Sequence, residues 1–177
     1  MATYKAPLDD MRFVLHDVFE TEKVWASMPA TAEVTRDLAD AILEEAGKMT
    51  EGLMFPLNRS GDEEGCQWND GVVTTPKGFK EAFKTFAENG WTALSGNPEY
   101  GGQGMPKSLA VLFEEMMHAA NTSFALYPLL SNGACLAIDA HASEELKQAY
   151  LPKIYSGEWA GTMCLTEPHC GSDLGLL

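Results

Sequence analysis

Positive charge is scarce in this chain of 177 residues: 12 Lys and Arg stand against 26 Asp and Glu, for a formal charge of −14. Such a field repels phosphate backbones, and no run of Lys or Arg reverses it locally, so nucleic acid and anionic membranes are excluded as partners. Long apolar runs are missing too. No window approaches the ~18 to 20 consecutive apolar residues that a bilayer crossing needs. Met1 to Asp10 has neither a basic segment leading into an apolar one nor an Arg- and Ser-rich transit pattern, so the expected compartment is cytoplasmic. Cysteine is sparse and unpaired in pattern: Cys66, Cys135, Cys164 and Cys170 include no C-x-x-C, which favours free thiols over a disulfide framework or a zinc site. Gly and Pro together, at 16 and 9, are too few for a low-complexity chain, and 45% hydrophobic residues supply one compact core.

What is present is helical periodicity. Leu8, Met11, Val14, Leu15, Val18 and Phe19 recur every three or four residues and predict a first helix with one buried stripe. Val34, Leu38, Ile42, Ala46, Met49 and Leu53 predict a second, from about Thr31 to a stop at Pro56. The polar, Gly-rich stretch from Asn58 to Thr75 reads as a loop with a short hairpin through Val72 and Val73. Thr75-Pro76 then opens a third helix with Phe79, Phe83 and Phe86 on its buried face, ending at Asn89-Gly90. Trp91 to Gly104 is a second loop, and Met105-Pro106 introduces a fourth helix striped by Leu109, Leu112, Phe113, Met116, Met117 and Ala120.

Phe124 to Ala140 is apolar or small almost throughout, the pattern of a helix covered on every side. Ser143-Glu144-Glu145 caps a last helix closed by Pro152, and Trp159 to Thr166 reads as a strand broken at Glu167-Pro168. A strand needs partners, so the expectation is that further strands belong to the same protein. His16, His118 and His141 are isolated and read as helix-face or capping residues.

The run Met163-Cys164-Leu165-Thr166-Glu167-Pro168-His169-Cys170-Gly171-Ser172-Asp173 resembles the flavin-binding signature of the acyl-CoA dehydrogenases, C-x-T-E-P-x-x-G-S-D, at seven fixed positions. Pro98-Glu99-Tyr100-Gly101-Gly102-Gln103-Gly104-Met105 is similar to the glycine loop of that family, and Glu114-Glu115, Tyr150-Leu151-Pro152 and Gly157-Glu158 also match. The opening, Tyr4-Lys5-Ala6-Pro7-Leu8, resembles the longer bacterial members with an N-terminal extension.

The resemblance implies an all-α fold class: the N-terminal helical domain of the acyl-CoA dehydrogenase fold, with the first strand of a β domain at its C-terminal end. The expected division is 1–57 for extension helices, 58–157 for the helical domain and 158–177 for the start of the β domain. It implies FAD as cofactor, Met163, Leu165 and Thr166 against the flavin, and Ser172 toward the acyl-CoA substrate or the phosphate end of the cofactor. The catalytic glutamate of such enzymes matches no residue here, so the chain is expected to be a truncated, cleaved or separately encoded portion, inactive by itself. The resemblance also implies that residues near Phe124 and Tyr127 line the acyl pocket. The implied partners are the remainder of the dehydrogenase polypeptide, further copies in a homo-oligomer, and an electron-transfer flavoprotein.

Small residues often follow the signature proline, whereas this chain carries His169-Cys170 after Pro168, so the imidazole either turns to solvent or meets substrate. Glu167 matches a structural position, not a base. Ser172 lacks the G-x-S-x-G setting of a nucleophile. A reading from another class stays open: a self-standing helical interaction module whose flavin motif is vestigial.

Overall fold

The computed structural model describes residues 3–176. Helix α1 (Leu8–Arg12) runs directly into a π-turn (Phe13–Val18), followed by α2 (Thr21–Ser27). Helix α3 (Arg36–Met49), a second π-turn (Thr50–Met54) and α4 (Phe55–Glu64) form one long helical run. A hairpin of β1 (Gln67–Asn69) and β2 (Val72–Thr74) precedes α5 (Phe79–Glu88). Two 3₁₀ turns, Trp91–Ala93 and Pro98–Tyr100, lead to α6 (Lys107–His141) and α7 (Glu144–Tyr155). The fold is therefore helical, and among the described residues no helix is long and apolar enough to cross a membrane.

The π-turns change which side chains are buried. In the first, Phe19 N–H bonds back to the Val14 carbonyl at 3.0 Å, five residues away, so each turn is wider than 3.6 residues. Met11 and Leu15 keep their buried places and His16 joins them, while Val14, Val18 and Phe19, expected inward, are turned out with Phe13. The second π-turn answers the expected stop at Pro56. A proline ring collides with the carbonyl four residues back, and the widened turn between Thr50 and Met54, which contains the side-chain-free Gly52, accommodates it. The helix then continues, so Asn58–Glu64 is not the predicted loop. Within α4, Gly61 meets the Phe79 ring, where an added Cβ would lie 2.5 Å from a ring carbon.

The second helix starts at Arg36, five residues after the expected Thr31, because Thr35 Oγ1 accepts from Leu38 N–H at 3.2 Å and caps it. The hairpin through Val72 and Val73 is present, turning on Asp70 and Gly71, both at positive φ, the two-residue turn whose twist suits paired strands. Helix α5 begins at Phe79, after a left-handed Gly78, and not at Pro76. Pro152 does not close α7, which continues to Tyr155 because Leu151, Ile154 and Tyr155 pack together in a core of their own with Cys135 and Tyr100.

The main core lies where α3, α5 and the first half of α6 meet, around Leu43, Met54, Phe86, Leu109 and Met116. Aromatic rings extend it: Trp91 to Phe113 (4.5 Å between centroids), Phe86 to Phe124 (5.8 Å, edge-on) and Phe83 to Tyr127 (4.8 Å, edge-on). Trp25, fully buried, donates from Nε1 to Ser108 Oγ at 3.1 Å and ties α2 to the start of α6.

The two helices expected between Met105 and Ala140 are joined end to end in α6 and separated only by Asn121, whose φ of −160° and ψ of 89° are not helical. Asn121 Oδ1 accepts from Phe124 N–H at 3.0 Å and caps the second half, while Nδ2 donates to the Met54 carbonyl at 3.0 Å. The second half is not covered all round: Leu126, Leu129 and Leu136 form an exposed stripe. Trp159 to Thr166, expected as a strand, forms no ladder among the described residues, since no neighbouring strand offers its backbone.

Candidate functional site

The glycine loop is a piece of backbone carpentry. Gln103, Gly104 and Met105 donate their N–H groups to the carbonyls of Ala93, Gly96 and Leu94, each at 2.9 Å, so the loop lies flat on the preceding turn. Only glycine fits at 102, where a Cβ would stand 2.1 Å from the Gly96 carbonyl carbon. Asn97 fixes the loop from below: its Oδ1 accepts from Glu99 N–H at 3.0 Å, and its Nδ2 donates to Asp139 Oδ1 at 3.1 Å. Tyr155 Oη accepts from Asn97 N–H at 3.2 Å, and Tyr100 donates to Glu144 at 3.0 Å. Burial and then the Glu144 carboxylate push the Tyr100 phenol up to about 12. The loop thereby fixes α7 against the second half of α6.

From α7 the chain is handed to the signature segment by a short series of anchors. Trp159 N–H returns to the Lys153 carbonyl at 3.0 Å, and the Lys153 ammonium lies 4.1 Å from the centroid of the Trp159 ring. Gly161 then crosses α6 so closely that a Cβ would be 2.6 Å from Ala134 Cβ, and its N–H donates to Ser131 Oγ at 3.1 Å. Beyond that crossing, among the described residues, the N–H groups of Thr162 to Thr166 donate to no protein acceptor. Met163 is 63% exposed, Thr166 is exposed and Leu165 is half-buried. Glu167 and Cys170 close a tight turn over Pro168-His169, with N–H to carbonyl bonds of 2.7 and 3.3 Å. That turn sets Gly171 beneath Thr166, 3.2 Å from Thr166 Oγ1 to a Cβ built on the glycine. Ser172 follows, exposed, as does His169. Cys164 and Cys170 are free thiols.

This places Met163, Leu165 and Thr166 on one short stretch with Ser172 at the far side of the same turn. Their chemistry is a row of unpaired backbone donors, one hydroxyl and one exposed thioether side chain. A flavin presents hydrogen-bond acceptors along one edge of a flat apolar ring, so this donor set fits it. Phe124 and Tyr127 line a separate open cleft of about 740 Å³, together with Phe79, Phe83, Lys80 and Cys66.

The family model described as Acyl-CoA dehydrogenase, N-terminal domain, matches residues 67–158, more than half of the chain. The chain belongs to the acyl-CoA dehydrogenase family. The 3-methylmercaptopropionyl-CoA dehydrogenase of Ruegeria pomeroyi is 40% identical over 172 residues, 97% of this chain and 29% of that protein. A butyryl-CoA dehydrogenase of Syntrophomonas wolfei is 33% identical over 179 residues, 97% of this chain and 28% of that protein. A solved glutaryl-coenzyme A dehydrogenase in complex with glutaryl-CoA superposes with a TM-score of 0.64 at 23% identity, over 80% of this chain and 34% of its own. At that identity the likeness concerns the fold, which is the N-terminal helical domain of acyl-CoA dehydrogenases. The chain spans under a third of the length of these curated relatives.

Two residues with large structural roles, Asn121 and His16, carry little or no local signal in the sequence. Asn121 is signalled only by its place between two helical stripes. His16, expected as a helix-face or capping residue, has a side chain with no exposure, held between two carboxylates, Glu22 Oε1 at 2.6 Å and Asp40 Oδ1 at 3.0 Å. Nothing in the local pattern announces this, because Asp40 is 24 residues away.

Proposed function

We propose that this chain is the N-terminal portion of a flavoprotein that oxidises the Cα–Cβ bond of an acyl-CoA thioester to the 2-enoyl-CoA, with FAD as hydride acceptor. The observation that carries the proposal is the row of unpaired donors from Thr162 to Thr166, anchored on α6 by Gly161 and flanked by the exposed Met163. Relatives named for 3-methylmercaptopropionyl-CoA and butyryl-CoA support an acyl-CoA substrate.

In this reading residues 1–57 are extension helices, 58–157 the helical domain and 158–177 the beginning of a β domain. Met163 and Leu165 cover the flavin ring, Thr166 donates its hydroxyl to the ring edge, and Ser172 meets the acyl-CoA. FAD, when bound, supplies the acceptor for the hydride. The residues of this chain hold the ring in place, keep water from its face with Met163, and offer donors fixed in advance, so that added electron density is met without reorganisation. The proton-abstracting base is assigned to no residue here, and the chain by itself is inactive. The remainder of the polypeptide, further copies of the chain, an electron-transfer flavoprotein and a cytoplasmic location complete the proposal.

The exposed Leu126, Leu129 and Leu136 stripe favours a second reading, a helical interaction module without cofactor. Colour separates the two. Expressed together with segments matching the rest of its relatives, the protein is expected to purify yellow, and Thr166→Val to weaken FAD retention by up to about tenfold, the worth of one neutral hydrogen bond. A folded but colourless protein overturns the dehydrogenase reading.

A further inference from the structure

We infer that His16 is a proton-operated latch on the N-terminal arm: as an imidazolium it fastens α2 to α3, and on losing its proton it releases α2 first. This stands apart from the flavin reading and rests on geometry alone. The His16 ring is fully buried in the π-turn, with Nε2 3.0 Å from Asp40 Oδ1 of α3 and Nδ1 2.6 Å from Glu22 Oε1 of α2. A neutral imidazole carries one N–H, so in that form one ring nitrogen would turn a lone pair toward an anion in a site shielded from solvent. The imidazolium gives Asp40 a hydrogen-bond donor and sets a second protonated nitrogen, with its share of positive charge, beside Glu22.

The two halves of the clasp are unequal. Asp40 accepts a hydrogen bond from Nε2 and a second from Arg12 Nε at 3.2 Å, and Arg12 continues through Nη2 to Glu44 Oε1 at 2.6 Å. Glu22 is close to Nδ1 but off the N–H axis, an ion contact without an aligned hydrogen bond, and among the described residues it has no second cation. Asp9, 3.9 Å from Arg12 Nη1, and the exposed Asp17–Arg36 pair at 3.8 Å complete the charged surroundings. Loss of the proton therefore leaves Asp40 with Arg12 and strands Glu22, which is partly exposed and can turn to water. The left-handed Glu20 (φ 46°) marks the corner about which α2 moves. Trp25 to Ser108 and Thr21 Oγ1 to the Leu15 carbonyl (2.8 Å) remain, so the change is a loosening of one helix and not unfolding.

The clasp is present while the ring holds a proton on each nitrogen and both carboxylates stay ionised, and is lost when the ring gives one proton up. The test uses the whole chain at ~pH 5.5 and ~pH 8.5, on either side of the ordinary value of a free imidazole. Nitrogen-15 spectra of the His16 ring are expected to show two protonated nitrogens at the lower pH. Amide exchange in α2, corrected for its intrinsic pH dependence, is expected to run about tenfold faster at the higher pH, with α3 unchanged. Glu22→Gln, at a partly exposed site that should not disturb folding, is expected to exchange quickly at both. A bare ring nitrogen at ~pH 5.5, α2 exchange that tracks α3 at both values, or a Glu22→Gln protein that keeps the wild-type difference would each overturn the latch.

Discussion

Replacing Asn121 by alanine removes two bonds from a residue that is 1% exposed. The cap on Phe124 N–H is worth about 1 kcal/mol, and the bond to the buried Met54 carbonyl about 1 to 2 kcal/mol, so unfolding should become easier by about 2 to 3 kcal/mol. For a chain of this size each kcal/mol lowers the melting temperature by roughly 2 to 4 °C. Thermal and urea unfolding followed by circular dichroism provide the measurement. Asn121→Ser separates the contributions: serine keeps a cap acceptor but is too short to reach Met54, so it should recover about 1 kcal/mol of the loss. The reasoning is refuted if Asn121→Ala unfolds within about 0.5 kcal/mol of the parent, the scatter of a neutral surface change.

Gly102→Ala should cost about 3 kcal/mol or more, since the added methyl meets backbone at Gly96 and not a movable side chain, and a melt close to the parent's would show that the loop gives way cheaply. Burial, with Asp139 adding to it, pushes the Cys135 thiol up to about 11, so at neutral pH maleimide should label Cys66 and Cys164 promptly and Cys135 only after denaturant is added. Hydrogen bonds from Gln148 and then Tyr100 hold the Glu144 carboxyl below its ordinary range. Its contribution is therefore present above the unfolded carboxyl range and lost as pH falls through the lower folded value, and Glu144→Gln should flatten the acid limb of the stability curve.

Much of the helical pattern, and the family signature, could be read from residue order alone, for a physical reason: periodicity and caps are local. Ser143 caps the helix that follows it whatever packs against that helix, and Asp70-Gly71 turns a hairpin from its own backbone preference. The glycine loop and the Met163 to Asp173 run are short stretches whose residue order alone carries the resemblance to the family. Tertiary structure decided what depends on a neighbour. Pro56 is passed because a π-turn could form where α3 packs on α6, Val14 and Val18 face outward because the first π-turn shifts the register, and Trp159 to Thr166 remains unpaired because pairing belongs to two segments and not to one. The same holds for His16. Glu22, His16 and Asp40 lie on different elements, and only their packing brings two carboxylates to one buried ring.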